Sequence, residues 1–153
     1  MKTVYYSEKI QASPKDVHEI MIDKDHYKEW TKPFSPTSDF RGYWDEDSKI
    51  FFTSTDENGN VMGMISMVDK NIPGEIVIIR HIGMFNDEGE QYEGKDIDNW
   101  KNVLEVYRFK DENGYTNLVC SVEISDEEDF HMFDETWPQA LKNLKEICER
   151  KNG

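Results

Sequence analysis

The side chains able to do chemistry are few and scattered. Arg80 and His81 sit together in the apolar run Glu75–Gly83, and neighbouring side chains on a strand point to opposite faces, so one of the two looks inward. An inward polar group in an apolar cavity orients a ligand's carboxylate or hydroxyl, or serves as acid or base; the blander role is a satisfied structural hydrogen bond. Arg108 is the third candidate. If Asp111-Glu112-Asn113-Gly114 closes as a three-residue loop with a bulge, Asp111 lies opposite Tyr115, which pairs Arg108 with Leu118, Val106 with Cys120 and Leu104 with Val122. Five of those six are apolar, so this set is expected to face the core, with Glu105 and Tyr107 on the other side. Arg108 then anchors a ligand from inside, or snorkels to solvent and pairs with an acid. Met62, Met64 and Met67, with Met84 nearby, form a sulfur-rich patch that suits an irregular cavity or plain core filling.

Other chemistries lack their patterns. The nine glycines fall singly, so there is no glycine-rich phosphate loop. Glu128-x-x-His131 is one pair at helical ligand spacing where a di-metal bundle needs several, and Asp96 and Asp98 lack the glycine and later glutamate of a calcium loop. No metal, no cofactor and no assembled catalytic set is expected. Cys120 and Cys148 read as buried core thiols, although a strand and a packed helix could bring them together as an oxidised pair.

These residues need a scaffold, and the chain signals one. Thr3–Ile10 alternates as a strand. Ser13, Pro14 and Asp16 supply an N-cap, a first-turn proline and a first-turn acid for a short helix to Ile22, and Asp23 caps a second short helix ending before Pro33 and Pro36. Six further runs read as strands: Thr37–Trp44, Ser48–Thr55, Asn60–Lys70, Glu75–Gly83, Asn102–Lys110 and Tyr115–Ile124. The same tetrapeptide, Asp-Glu-Asn-Gly, recurs at Asp56 and at Asp111, and both copies read as hairpin loops. Met84 to Asn99 holds six acids, one lysine and two glycines, which predicts a mobile loop. From Asp126 the period turns helical through Phe130, Phe133, Trp137, Leu141, Leu144 and Cys148; Pro138 predicts a short helix to about Phe133, followed by a long one capped by Asp134.

The order strand, two short helices, six strands and a long terminal helix resembles the START-like (SRPBCC) superfamily, in its bacterial branch similar to the activators of heat-shock-protein-ninety ATPase. The resemblance rests on Ile10-Gln11-Ala12-Ser13-Pro14-Lys15-Asp16-Val17, Trp30-Thr31, Gly42-Tyr43-Trp44 with Ser48-Lys49-Ile50, His81-Ile82-Gly83, Trp100 with Glu105-Val106-Tyr107, and Trp137-Pro138-Gln139-Ala140-Leu141 with Leu144-Lys145. It implies an α+β helix-grip fold over residues 1–153 as one domain: a curved seven-stranded antiparallel sheet gripping the terminal helix around an apolar cavity. In relatives that cavity holds greasy molecules such as lipids, sterols or polyketides, and a minority of relatives are cyclases or dehydratases.

Charge narrows the partners. Eighteen Lys and Arg against thirty-two Asp and Glu leave a net charge of −14, which opposes a phosphate backbone and an anionic membrane surface. The longest purely apolar stretch, Ile76 to Ile79, is far short of the ~20 residues that cross a bilayer. No nucleic acid and no membrane insertion are expected, and two cysteines fit a reducing cytoplasm. The expected function is non-catalytic binding of a small apolar or amphipathic molecule between sheet and terminal helix, its cavity drawn from Met62, Met64, Arg80, His81, Leu104, Val106, Arg108, Leu118, Cys120, Trp137, Leu141 and Leu144. The alternatives are a cyclase- or hydrolase-like enzyme using polar cavity residues, and a module that contacts a chaperone or other protein.

Overall fold

The computed structural model describes residues 2–125 and 131–152. Strand β1 (Lys2–Ile10) leads into α1 (Pro14–Ile22) and α2 (Lys24–Trp30), then β2 (Asp39–Gly42), β3 (Lys49–Thr55), β4 (Val61–Ile72), β5 (Ile76–Asn86) and β6 (Gly89–Gln91). The short α3 (Lys95–Asp98), β7 (Leu104–Glu112), β8 (Tyr115–Ile124) and α4 (His131–Asn152) complete it. The strands form one antiparallel sheet in the order β1-β8-β7-β5-β4-β3-β2, with β6 added to β5. The caps act as the sequence indicates: Ser13 Oγ accepts from Asp16 N at 3.3 Å with Pro14 in the first turn, and Asp23 Oδ2 accepts from His26 N at 3.2 Å.

One face of the sheet is covered by the helices. The buried cluster there joins Val17 and Met21 of α1, Tyr27 and Trp30 of α2, and Trp137, Ala140, Leu141, Leu144, Ile147 and Cys148 of α4 to Val77, Ile79, Tyr107, Phe109, Leu118, Cys120, Val122 and Ile124 of the sheet. Removing this apolar surface from water is the main force holding helix to sheet.

Three expectations need correction. The second hairpin is tighter than its sequence twin: Asn113 and Gly114 both have positive φ, 59° and 94°, and Glu112 pairs with Tyr115, the two-residue turn that matches strand twist. Tyr107 therefore faces Cys120, Phe109 faces Leu118 and Glu105 faces Val122, a slip of one residue that turns Leu104, Val106 and Arg108 to the opposite face. Arg108 is exposed, its Nη1 donating to Ser121 Oγ at 3.3 Å.

The acidic stretch from Met84 is structured. Strand β5 continues to Asn86 and pairs back with β6, an eighth strand, and α3 follows. Two lysines hold the stretch at Tyr92: Lys49 Nζ of β3 donates to Tyr92 OH at 2.8 Å, Tyr92 OH donates to Glu90, and Lys101 Nζ donates to the Tyr92 carbonyl at 2.6 Å.

Helix α4 is continuous from His131, with Asp134 and Pro138 inside it rather than at a break. Proline removes only the bond to the Asp134 carbonyl there, and packing of Trp137, Leu141 and Leu144 outweighs that loss. The proposed start near Asp126, Phe130 and the Glu128-x-x-His131 pair lie outside the described residues, side chain of His131 included.

His18 of α1 is buried, its Nε2 2.6 Å from Asn71 Oδ1 and its ring edge-on to Phe109 at 5.3 Å. Burial holds its pKa below the ordinary 6.5. The unfolded chain then binds the proton more readily, so stability from neutral His18 is complete above about pH 6.5 and is lost as pH falls through the lowered folded value. In urea titrations between pH 7 and 5, the stability lost on acidification is expected to be smaller in His18→Gln than in the native protein; equal slopes would show that His18 titrates as in the unfolded chain.

Candidate functional site

Towards one end of the covered face the packing leaves a cavity of about 510 Å³, within the size range of small-molecule sites. Its floor is sheet: Phe52, Thr53 and Ser54 of β3, Gly63 and Met64 of β4, His81 and Met84 of β5, Glu105 and Tyr107 of β7, and Val122 to Ile124 of β8. Tyr27 and Trp30 of α2, Phe34 in the connection that follows, Trp100, and Phe133 and Trp137 of α4 complete the wall. The aromatic rings brace one another: Phe34 packs edge-on to Trp137 at 4.9 Å, and Trp137 also stacks on Tyr6 at 6.1 Å and leans on Tyr107 at 6.1 Å.

A hydrogen-bonded polar line crosses this apolar floor. Ser66 Oγ lies 2.7 Å from His81 Nδ1, His81 Nε2 lies 3.4 Å from Glu105 Oε1, and Tyr107 OH donates to Glu105 Oε2. His81 is fixed from behind as well, its N–H donating to the Val103 carbonyl at 3.0 Å and its carbonyl accepting from Asn102 N–H at 2.8 Å. Burial, reinforced by the Glu105 carboxylate, pushes the Tyr107 hydroxyl well above the usual phenol range, so it stays protonated and keeps its role as donor. Tyr27 is shifted upward by the same two causes in the same order, against a smaller downward pull from its hydrogen bond with Ser38. Tyr6, stacked on Trp137, is pushed up to about 12 by burial and then by its 2.9 Å bond to Asp134 Oδ1.

The sequence candidates divide. Met64, His81 and Trp137 line the cavity. Leu118, Cys120, Leu141 and Leu144 belong to the filled core beside it, fully buried but not on its wall. Leu104, Val106 and Arg108 point away, and Met62 is exposed. Of the Arg80 and His81 alternatives, His81 is the inward one: Arg80 forks onto Asp69, Nε to Oδ2 at 3.0 Å and Nη2 to Oδ1 at 3.3 Å, and reaches Asn102 with Nη1. Both thiols are free and buried; burial, then nearby acids, pushes Cys148 up to about 12 and Cys120 well above its ordinary value, which leaves neither as a nucleophile.

Glu105 and Tyr107 lie on the cavity face, not the far face that a three-residue loop predicts, and the sequence carries the signal that places them: Asn-Gly is the preferred pair for the two-residue turn. Among the described residues no group of three or more His, Cys, Asp or Glu could hold a metal ion.

The family model described as Activator of Hsp90 ATPase homolog 1-like protein matches residues 11–149, most of the chain. The chain belongs to this family. Its fold recurs in the Aha1 dimer from Colwellia psychrerythraea, at 21% identity and a TM-score of 0.71 with 100% of each chain covered. A protein from Nitrosomonas europaea superposes with a TM-score of 0.72 at 13% identity, over 98% of this chain and 96% of that one. One from Arthrobacter aurescens gives 0.72 at 13%, over 97% and 86%. At these identities the likeness is one of fold. No curated protein matches the sequence.

Proposed function

We propose that this member of the Activator of Hsp90 ATPase homolog 1-like family binds a small amphipathic molecule in the cavity between sheet and α4. One observation carries the reading: a space of about 510 Å³ walled by aromatic side chains persists beside a core in which Leu118, Cys120, Leu141, Leu144 and Cys148 are fully buried. Proteins pack their interiors densely, so a space of this size with a few convergent polar groups points to an occupant. Two buried free thiols in this single folded unit fit a reducing, cytoplasmic setting.

The line Ser66–His81–Glu105–Tyr107 favours a second reading, proton transfer to a bound ligand, with His81 and Glu105 as the acid and base. Arg80 and Arg108 have no part in it. Contact with a chaperone rests on the family's description alone.

The uncharged dye Nile red tests the binding reading. Its emission is expected to rise and shift to the blue with saturable, one-site dependence on protein, and Val122→Trp, which drives an indole into the cavity, is expected to weaken that binding at least tenfold. A linear, unsaturable response, or an unchanged response in the folded V122W protein, would remove the cavity from the account.

A further inference from the structure

The cavity's charge is one-sided. Glu105 and Glu123 stand in its wall, and among the described residues lining it there is no lysine or arginine. The Glu105 carboxylate is largely withdrawn from water, with 17% of its side chain exposed, and His81 has 12%. Among the described residues each Glu105 oxygen has one partner, Tyr107 OH on Oε2 and His81 Nε2, at a long 3.4 Å, on Oε1. A carboxylate oxygen accepts two hydrogen bonds, so acceptor capacity remains on both atoms. Arg80 and Lys101, which adjoin the lining residues His81 and Trp100 in the chain, are engaged elsewhere, on Asp69 and on the Tyr92 carbonyl, and Arg108, three residues beyond Glu105, is exposed with its Nη1 on Ser121 Oγ.

Removing a carboxylate from water is unfavourable unless a partner of opposite charge arrives, and a second anion beside it raises the cost. The surrounding rings add to the same preference. Trp137, Phe34, Phe52, Tyr27, Trp30 and Trp100 present π faces and edges to the space, and π faces attract organic cations. The net charge of −14 also draws cations towards the protein from a distance.

From these we infer that the cavity selects a lipophilic cation, an amine whose apolar body lies among the aromatic rings and whose ammonium donates to Glu105, and that it rejects fatty-acid-like anions. The inference rests on the binding reading above and narrows it to a ligand class. It is a noncovalent selection and requires no reaction.

Three probes with one naphthalene body separate the two claims: 1-naphthylmethylamine, 1-naphthalenemethanol and 1-naphthylacetate, titrated calorimetrically into the full chain at pH 7.5. The amine is expected to bind at least tenfold more tightly than the alcohol, and the acetate more weakly than either. Glu105→Gln keeps the shape and should bring the amine to within threefold of the alcohol while leaving the alcohol's affinity unchanged. Glu93→Gln, which removes one charge away from the cavity wall, should leave the ranking intact. Alcohol or acetate binding as tightly as the amine would overturn the cation selection while the binding reading stands. If none of the three binds, the selection is overturned, and if Nile red stays dark too, the binding reading falls with it. Should E105Q fail to fold, the ranking on the native protein still decides.

Discussion

Gly63→Ala is expected to cost about 3 kcal/mol, the upper end of what overpacking usually costs and a large part of the stability of a domain this size. Gly63 pairs with Thr53 on β3 and with Phe85 on β5. A Cβ built there would stand 1.8 Å from the Phe52 carbonyl oxygen and 2.8 Å from its carbon. Both are backbone atoms, so no side-chain rotation relieves the overlap; β3 and β4 must separate where they form the cavity floor. Gly59, at the tip of the first hairpin, makes the instructive comparison. A Cβ there meets nothing within 4 Å, but its φ of +83° disfavours any side chain. Gly59→Ala should therefore cost only about 1 kcal/mol, from backbone conformation alone. Urea denaturation of both variants checks this. Equal losses would mean that the β3–β4 pair yields easily at Gly63 and that its close approach has no energetic role.

Gly59 and Gly114 end identical tetrapeptides, and their different turns show where local sequence stops deciding. At the first copy Asp56 Oδ1 accepts from Asn58 N at 2.8 Å and Asn60 N at 2.9 Å, and Asp56 N–H donates to the Asn60 carbonyl, so three residues form the loop. At the second, the flanking residues belong in strands. Tyr115 OH donates to Glu112 Oε2 at 3.1 Å and Asn117 Nδ2 to Glu112 Oε1 at 3.3 Å, which holds Glu112 opposite Tyr115 and shortens the loop to two. The tighter register buries Tyr107 and Phe109 and exposes Arg108, whereas the looser one would bury a cation. Tertiary burial thus selects between turns that the tetrapeptide itself leaves open.

The helix starts at Ser13-Pro14 and Asp23 were legible because capping is local chemistry, and all seven runs read as strands are strands for the same kind of reason: periodicity and turns are short-range. The acidic stretch after Met84 was not, because Lys49, which holds Tyr92 of that stretch, comes from a distant strand. His81 was legible as a candidate and its partners were not. Glu105 reaches it from a neighbouring strand, and a one-residue slip moves that carboxylate from the cavity to the far face.

The other large effect falls on Trp30. It closes α2 with only 2% of its surface exposed, edge-on to Tyr27 at 5.5 Å, and its Nε1 donates to the Met21 carbonyl at 2.9 Å. Met21 lies in the last turn of α1, where carbonyls have no partner within the helix, so the indole of one helix caps the other. Trp30→Ala is expected to lose about 3–5 kcal/mol from the missing ring and the space it leaves. Trp30→Phe keeps most of the ring and abandons the Met21 carbonyl, and should lose a smaller amount, about 1–3 kcal/mol. Urea midpoints of the two variants separate packing from capping: if W30F matched W30A, the hydrogen bond would carry the site, and if W30F matched the native protein, the bond would carry nothing. Because Trp30 also lines the cavity, stability and binding should part company. W30A enlarges the space while Glu105, His81 and Tyr107 stay in place, so the folded fraction should still take up Nile red, whereas V122W should lose the dye by filling the same space. Loss of the dye from folded W30A would move the binding surface onto the α2 aromatics and away from the polar floor.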